Sequence, residues 1–530
     1  MWPCSPNFYA EIIYKHVSAG DSVSILKCEA VLKRTCTITD RFAPPHAAVG
    51  CEKCMAAFNN MVADYNIPRD RISCLPANEN KDIPAYAFQS TRELCDWTFD
   101  GIDLGAVVLN NLASAYFDHD PDLDSCREEM NYLIEDGIYL SKTFDGIVNN
   151  FSKIYLFGGR GVANGVPPRI CKKKGIDFTA IEYGYLQDTI AFYENTYPQD
   201  RDNTRKNISR LWQAASDEKV RIAESFFTER RLGTGDVSFT FLQRQGELPA
   251  GYEPGRINIA VYDSSLLEGR GLPEFENASF PSLYFLHYVY LLANFFKDDG
   301  QYKFYLRAHP TRAKTYTAMG TVFTASAQAR QLRVLRFAGL KNLHVVLPHE
   351  PVGTYALLDH SDIVLLSSST IGLEATYWGK PSISPGSTFY DHSDACYFPK
   401  THEELVQLLK TPSLRPKPRE SVLPAAYYLK MFGEPFSLPE SWSWNAKPRP
   451  APLKVAPRER LRSRLGRCKH RLKAWLGLSP EQVTEQGAEE PVNDAAEAFY
   501  AQRPTPAEIE KFAQECKYLC EKWRIPPGVV

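Results

Sequence analysis

Two stretches in the second half of the chain place polar side chains where they could bind a phosphorylated ligand. Residues 307–310 read RAHP, and residues 361–374 read SDIVLLSSSTIGLE. In the second stretch an apolar run ends in hydroxyl residues, and Glu374 follows one helical turn later. Hydroxyl residues that open a helix leave backbone N–H groups for a phosphate, and a carboxylate can accept from the vicinal hydroxyls of a ribose. The pattern predicts a nucleotide site, although an ordinary capped helix has the same local signature.

The elements around these stretches predict a parallel sheet. Apolar strand-like runs alternate with helical patterns throughout the second half, and this order is typical of a doubly wound α/β domain. The predicted strands cover residues 256–262, 302–307, 343–347, 362–366 and 381–384. In the first half, residues 153–184 contain a strand, a Gly-rich turn, a helix and a second strand, which together predict a parallel βαβ unit. Because functional groups gather at the carboxyl ends of such strands, Arg160 and Glu182 are candidates there.

Length and composition predict the number of domains and the compartment of the protein. A chain of 530 residues, 44% hydrophobic and 23% charged, predicts two to three globular domains. We expect residues 1–250 and 251–435 to be two Rossmann-like domains, with a boundary in the Pro- and Gly-rich segment 248–255 and an extension over 436–530. The sequence has neither a signal-peptide pattern nor an apolar run long enough to span a bilayer, and 13 cysteines, an odd number, fit a reducing cytoplasm.

The extension contains a basic amphipathic segment. Residues 447–473 hold eleven Lys or Arg and one acidic residue, although the whole chain has a net charge of −2. Within residues 458–478, leucines and Trp475 fall largely on one helical face, which is typical of a helix lying on an anionic lipid surface. A solvated basic helix or a docking surface for an acidic protein is the alternative. The sequence predicts no nucleic-acid partner and a peripheral location on the inner face of the plasma membrane.

The combination of motifs resembles a known family. RAHP, followed about 55 residues later by SDIVLLSSSTIGLEATYWGKP, is similar to the donor half of bacterial capsule and surface-polysaccharide glycosyltransferases of the GT-B fold, a group that includes the capsular Kdo transferases. GIDLG at residues 101–105 and the GGR to EYG segment are weaker matches, so the resemblance covers roughly residues 20–430. It implies two Rossmann-like domains, to which the composition of the chain adds a C-terminal basic amphipathic helical extension. It also implies a set of donor-binding residues: Arg307, His309, Pro310, Ser368, Ser369, Thr370 and Glu374.

The resemblance also implies how these residues act. His309 would contact the donor phosphate, Pro310 would fix the following turn, and the hydroxyls would hold the same phosphate from the opposite loop. A catalytic base would come from Glu182 first, then Asp103 or Glu268, although each could be an ordinary surface or capping carboxylate. Arg160 would position an acidic acceptor or stabilise the leaving charge.

No metal or cofactor is expected. The DxD letters at residues 118–120 fall in what the sequence predicts to be a polar loop, and the histidine and hydroxyls can stabilise the phosphate without a metal. Cys28, Cys36, Cys51 and Cys54 could form a zinc site, but buried thiols are the preferred interpretation because the spacing fits no zinc module.

The predicted function is transfer of a sugar from a nucleotide-activated donor to a growing capsule or lipopolysaccharide-type glycan. The expected partners are therefore a nucleotide-sugar and a glycan or glycolipid acceptor. A CDP-polyol phosphotransferase, an epimerase of the same general fold and a non-catalytic assembly protein are the alternatives.

Overall fold

The computed structural model defines a chain built from two sheets and sixteen α-helices within its described residues. It describes residues 6–32, 47–78, 85–184, 189–234, 246–264, 267–272, 281–313, 315–317, 320–323, 325–439, 442–444 and 490–526. The strands are, in chain order, β1 (Ile25–Lys27), β2 (Ile72–Cys74), β3 (Lys153–Phe157), β4 (Asp177–Tyr183), β5 (Thr189–Glu194), β6 (Ile257–Tyr262), β7 (Tyr302–Arg307), β8 (Thr315–Thr317), β9 (Gly320–Val322), β10 (Leu343–Val346), β11 (Ile363–Leu366), β12 (Ser382–Ile383) and β13 (Glu434–Pro435). The two large sheets lie in the two halves of the chain, and two small ribbons, β1–β2 and β8–β9, accompany them.

The helices connect and cover these sheets. They are α1 (Pro6–Ala19), α2 (Ala47–Asp64), α3 (Thr91–Asp96), α4 (Leu104–Tyr116), α5 (Arg127–Ile147), α6 (Val162–Lys174), α7 (Arg201–Ala214), α8 (Lys219–Leu232), α9 (Phe285–Phe295), α10 (Ala327–Arg336), α11 (Thr354–Asp359), α12 (Ile371–Tyr377), α13 (His402–Lys410), α14 (Leu423–Met431), α15 (Glu490–Ala501) and α16 (Pro506–Lys522). Helix starts follow the local sequence. Ser326 caps α10 and Thr401 caps α13 with their hydroxyls, and Thr505 forms a capping box with Glu508 at the start of α16.

The sheet of the second domain is entirely parallel, in the order β10-β7-β6-β11-β12. Its central strands are apolar and fully buried, as strands covered by helices on both faces must be. Four strands end at one level, because Arg307 pairs in register with both Tyr262 and Val346, and Tyr262 pairs with Leu366. The segments that follow these residues therefore leave the sheet along one edge.

The first domain has a mixed sheet in the order β13-β5-β4-β3. Strands β3 and β4 are parallel and joined by α6, which confirms the βαβ unit predicted for residues 153–184. Strand β5 is antiparallel to β4, and β13, from the end of the second domain's sequence, is antiparallel to β5. The chain thus returns to the first sheet after completing the second one.

The predicted α/β fold class is confirmed: the described residues contain a five-stranded parallel sheet and a four-stranded mixed sheet, with helices connecting their strands. The basic segment 458–478 lies outside the described residues, whereas α15 and α16 beyond it are described. Phe512, Cys516 and Leu519 of α16 join the core that β6, β7 and α9 form. Within the part of the chain that the structure describes, no helix combines the length and apolarity needed to cross a membrane.

Two segments after the second sheet hold the first domain. The carboxylate of Glu11, which is fully buried in α1, accepts the backbone N–H groups of Ser437 at 2.9 Å and Leu438 at 2.6 Å. Trp442 packs into the cluster that α1 and α2 form. The extension predicted to start at residue 436 therefore begins with a strap across the first domain. The predicted domain boundaries themselves stay predictions.

Candidate active site

Hydrogen bonds tie together the segments that leave the parallel sheet. The Ser264 hydroxyl, after β6, donates to the backbone carbonyl of Ser367, after β11, at 2.5 Å. The backbone N–H of Asp263 donates to the carbonyl of Arg307 at 3.2 Å, which joins the ends of β6 and β7. The predicted residues His309 and Ser368 thus follow β7 and β11, the two strands that flank β6, at one edge of the sheet. This carboxyl edge is where open α/β sheets bind ligands.

Asp263 is a buried carboxylate at the centre of this edge, and sequence reasoning missed it. Burial raises its pKa to about 6, although Arg312 and the backbone N–H groups of Ser264 and His309 act in the opposite direction. Gln328 of α10 donates to its Oδ1 at 3.3 Å. Its position directly after an apolar strand was the available signal. Because its pKa lies close to physiological pH, Asp263 can change protonation state when a charged ligand binds.

His309 ends the β7 segment in a neutral form. Burial, together with the charges of Arg312 and Arg307, lowers its pKa to about 3. A neutral imidazole still offers one N–H donor and one acceptor, according to its tautomer. Pro310 then opens a single 3₁₀ turn that ends at Arg312, whose backbone N–H donates to the carbonyl of His309 at 2.9 Å. The role predicted for Pro310 in shaping this turn stays a prediction.

The hydroxyl residues lie between β11 and α12, as the sequence predicted. Ser368 has a φ of +47°, in the left-handed region that residues with a Cβ rarely adopt. Ser369 Oγ accepts the backbone N–H of Ile371 at 3.3 Å, and Tyr390 donates to the Ser369 carbonyl at 2.5 Å. The bend at Ser368 is thus held by fixed contacts around it. Helix α12 has only seven residues, so side chains rather than a long helix dipole must supply binding here.

Glu374 is buried and already bound to protein groups. Arg230 Nε lies 3.0 Å from its Oε1, Tyr355 donates to its Oε2, and Thr370 Oγ1 lies 3.4 Å from Oε1. Its side chain is 2% exposed. A ribose could reach this carboxylate only if Tyr355 or Arg230 gave up its contact, so the predicted ribose contact stays a prediction.

Two arginines at the end of β7 differ in how their guanidinium groups are used. Arg307 directs Nε and Nη2 at the carbonyl of Val352, both at 3.4 Å, and burial lowers its pKa. Arg312 is 4% exposed, and its Nε and Nη2 have no hydrogen-bond partner among the described residues. Arg312 was missed because the motif was read only as far as Pro310. Its place two residues after Pro310 was the signal that could have found it.

On the first domain, Glu182 and the Gly-rich turn lie side by side. The backbone N–H of Gly158 donates to the carbonyl of Ile181 at 2.8 Å, and Gly158 and Gly159 both have positive φ. Glu182 Oε1 accepts the backbone N–H of Tyr183 at 3.1 Å, and Oε2 would lie 3.8 Å from a Cβ at Gly158. The glycine therefore leaves open space beside this carboxylate. Arg160, half-buried, follows in the same turn.

The other base candidates are less open. Asp103 sits at the start of α4, and both its oxygens are bound by Arg169, at 2.6 Å to Nε and 2.9 Å to Nη2. Glu268 lies in a short 3₁₀ turn, but its side chain is outside the described residues. Neither placement assigns a role.

Residues 118–120 lie in a loop, as the sequence predicted, but this loop is largely buried. Asp118 and His119 are 6% and 5% exposed. Asp118 Oδ2 accepts the backbone N–H of Ala327 at 2.9 Å, and Asp120 accepts from Lys511 of α16 at 3.0 Å. This segment therefore connects the first domain to the start of α10 and to the C-terminal helices. Across the described residues, no cluster of three or more His, Cys, Asp or Glu could hold a metal ion.

A polar pocket of about 400 Å³ lies at the opposite edge of the second sheet. It is lined by residues around the amino ends of β6 and β7, among them Tyr252, Asn258 and Asp362. Those groups bond to one another: Asn258 Nδ2 donates to Tyr252 at 3.0 Å, and Asp362 accepts the Asn258 backbone N–H at 2.7 Å. Since ligands of open parallel sheets bind at the carboxyl ends, we place the site at the other edge.

The comparisons with known proteins bear on the fold of the chain. No family model matches the chain, and no curated protein matches its sequence. The β-Kdo 2,4-transferase KpsC of Thermosulfurimonas dismutans shares 15% identity over 53% of this chain and 80% of its own, with a TM-score of 0.33. The UDP-GlcNAc 2-epimerase of Neisseria meningitidis, solved with UDP-GlcNAc, shares 10% identity over 57% and 78%, with a TM-score of 0.22. At these scores the similarity carries no argument about a donor or an acceptor.

Proposed function

We propose that the protein is a glycosyltransferase that transfers a sugar from a nucleotide-activated donor to a growing capsule or lipopolysaccharide-type surface glycan. The observation that carries the proposal is the meeting of three strand ends at one edge, after β6, β7 and β11. These bring a neutral histidine, a hydroxyl-rich bend and two buried arginines to the place where such sheets bind nucleotides. The motif resemblance of residues 307–310 and 361–381 supports the same class.

In this reaction the acceptor hydroxyl attacks the anomeric carbon, and the bond from that carbon to the donor phosphate oxygen breaks. The hydroxyl proton passes to a carboxylate on the first domain, for which Glu182 is our first choice over Asp103 and Glu268. His309 donates a hydrogen bond to a phosphate oxygen, and Ser368, Ser369 and Thr370 supply further donors. These contacts stabilise the negative charge that grows on the departing nucleotide. We propose that the residues do this without a metal or cofactor.

We further propose that the enzyme works on the cytoplasmic face of the plasma membrane, held there through residues 458–478. The support is the composition of that segment, since alternating basic and apolar residues favour an anionic lipid surface. Co-sedimentation with vesicles containing phosphatidylglycerol should decrease when four of its arginines are replaced by glutamine. Equal sedimentation with and without those replacements would contradict the membrane role.

Ligand-observed NMR tests the donor site directly. Saturation-transfer spectra with CMP, CDP, UDP and GDP should show a preference for one nucleotide in the wild-type protein. His309→Ala should weaken that signal by a factor of ten or more. His360→Ala is the matched control, because His360 is exposed at the opposite edge of the sheet and should leave binding unchanged. A folded wild-type protein that binds none of the four would overturn the proposal.

Product analysis then separates sugar transfer from phosphate transfer. A product that carries phosphate from the donor would support a CDP-polyol phosphotransferase, and a product that carries only the sugar would support the glycosyltransferase. Recovery of an isomerised nucleotide-sugar without transfer would identify an epimerase instead.

A further inference from the structure

Arg312 has a hydrogen-bonding edge that nothing in the described protein occupies. Its Nε and Nη2 atoms are both buried and both lack a hydrogen-bond partner among the described residues. These two atoms carry the parallel N–H groups on one side of the guanidinium, the arrangement that matches two oxygens of a carboxylate or phosphate. Buried donors without an acceptor are rare and costly. The unpartnered Nε and Nη2 donors of Arg312 are therefore a candidate site for an anionic ligand.

The same edge is occupied at two other arginines of this protein. Arg169, also buried, uses Nε and Nη2 to grip the two oxygens of Asp103 at 2.6 and 2.9 Å. Arg205 points Nε and Nη2 at Asp391, at 3.0 and 2.5 Å. These pairs show the geometry that an oxyanion would adopt at Arg312. At Arg312 the same pair of donors, Nε and Nη2 (the Arg312 fork), has no oxyanion from the described residues bound to it.

Of the two carboxylates that influence Arg312 electrostatically, Asp118 is bound to other groups, whereas the Oδ2 atom of Asp263 has no hydrogen-bond partner among the described residues. Asp263 accepts from Gln328 at 3.3 Å, and Asp118 accepts from the backbone of Ala327 at 2.9 Å and from Arg330 at 3.3 Å. Neither makes a hydrogen bond to Arg312 within the described residues. The carboxylates reduce the cost of burying the positive charge, while the fork itself stays open.

The position of Arg312 is fixed by its backbone. Its N–H donates to the carbonyl of His309 at 2.9 Å, and its own carbonyl accepts from the hydroxyl of Tyr500, in α15, at 3.2 Å. Arg312 is also close enough to lower the pKa of His309 and of His119. His119, from the first domain, has an Nδ1 that is likewise buried without a hydrogen bond to the described residues. The turn that carries Arg312 is therefore held by backbone contacts to His309 and Tyr500.

We propose that Arg312 is a ligand-binding residue that grips an oxyanion, phosphate or carboxylate, through its Nε and Nη2 atoms. The proposal rests on the proposed nucleotide-sugar site and deepens it, because such a donor always carries a phosphate and can carry a sugar carboxylate as well.

Two substitutions test the paired Nε and Nη2 donors of Arg312. Arg312→Gln removes both the charge and the paired N–H groups, and Arg312→Lys keeps the charge without the fork. Arg333→Gln is the matched control, because Arg333 is also a buried arginine, at 6% exposure, but is bound by Glu508. If Arg312→Gln fails to fold, Arg312→Lys carries the comparison.

Calorimetric titration with nucleotides, with the matching nucleosides and with pyruvate distinguishes the two sources of the anion. If the phosphate is gripped, Arg312→Gln should weaken nucleotide binding at least tenfold, Arg312→Lys less, and nucleoside binding should not change. If a carboxylate is gripped, pyruvate binding should fall while nucleotide binding stays at the wild-type level. Wild-type affinity for nucleotides and for pyruvate in both folded Arg312 variants would overturn the proposal.

Inorganic phosphate tests Arg312 even if the donor site has been wrongly assigned. At constant ionic strength, replacing chloride by phosphate should raise the Tm of the wild-type protein and of Arg333→Gln, but not of the Arg312 variants. A wild-type protein that binds no nucleotide yet shows this response would overturn the proposed function and keep the anion site. Two results would overturn the anion site itself if pyruvate binding is also unchanged in the Arg312 variants. One is an equal Tm response of wild type and the Arg312 variants to phosphate, and the other is no Tm response in any of the proteins.

Discussion

Replacing Glu374 separates a structural role of this carboxylate from a role in binding ribose. Its side chain is 2% exposed and pairs with Arg230, which is 21% exposed, so Glu374→Ala leaves the guanidinium and the Tyr355 hydroxyl without their acceptor. Removing one partner of a buried ion pair costs about 3 to 5 kcal/mol. Since Arg230 keeps some contact with water, we expect a loss at the lower end, about 3 kcal/mol.

That loss is large enough to measure by thermal unfolding. For a cooperative unit of 150 to 250 residues, 1 kcal/mol shifts Tm by about 2 to 4 °C, so Glu374→Ala should lower Tm by about 6 °C or more. A double-mutant cycle with Arg230→Met should return a coupling of about 1 to 3 kcal/mol between the two residues. The readout is differential scanning fluorimetry on the four proteins, with nucleotide affinity measured on each.

The two roles predict opposite patterns. If Glu374 is structural, Glu374→Gln keeps its shape and some of its hydrogen bonds, loses part of the stability, and binds nucleotide within a few-fold of wild type. If it holds a ribose, nucleotide binding is lost while Tm stays constant, and Arg230→Met keeps its affinity. Unchanged Tm in Glu374→Ala, together with lost binding, would refute the structural reasoning.

Three further perturbations test other parts of the structure. Gly105→Ala should lower Tm by at least 4 °C in fluorimetry, because its Cβ would lie 1.7 Å from a backbone carbonyl of α3. Gly146→Ala is the control: a Cβ there has nothing within 4 Å, so this substitution should raise stability by about 0.5 kcal/mol. Equal effects of the two substitutions would contradict the packing of α4. Asp263 has a folded-state pKa of about 6, above its ordinary value, so it binds more protons in the folded state and costs stability as pH rises between about 4 and 6. Asp263→Asn should remove that cost, about 3 kcal/mol. The Tm of the variant minus the Tm of the wild-type protein should therefore increase from pH 4 to pH 7. A Tm difference that stays constant over this range would contradict the raised pKa. Tyr500→Phe removes the hydroxyl that donates to the Arg312 carbonyl at 3.2 Å. It should lower the free energy of unfolding by about 1 kcal/mol and weaken nucleotide binding measured by titration. Wild-type affinity in this variant would show that the turn does not need the contact.

Periodicity predicted the parallel sheet well because its strands are continuous apolar runs. Residues 302–307 and 362–366 were predicted as strands and are found at Tyr302–Arg307 and Ile363–Leu366. Strand β5 was missed, since Thr189–Glu194 pairs antiparallel with β4 and antiparallel pairing depends on a partner rather than on a strong local pattern. The two-residue β13 carries even less local signal.

The candidate site was predictable to the extent that its chemistry lies in short motifs. His309 and the hydroxyl-rich bend could be placed because they directly follow apolar strands. Asp263 and Arg312 could not be given roles, because their importance comes from burial and from which partners they lack, and neither property is written in local sequence. The partners of Glu374, one 144 residues away along the chain, were equally invisible.

The C-terminal helices have a role that their sequence alone did not suggest. Arg333 of α10 is held by both oxygens of Glu508 at 2.5 and 2.6 Å, and Lys511 reaches Asp120 of the first domain at 3.0 Å. The hydroxyl of Tyr500 holds the turn that carries Arg312. Residues 490–526 thus contact the second-domain core, the turn after β7 and the first domain together. Because loss of these helices would expose part of the core, the described tail belongs to the folded unit of the second domain.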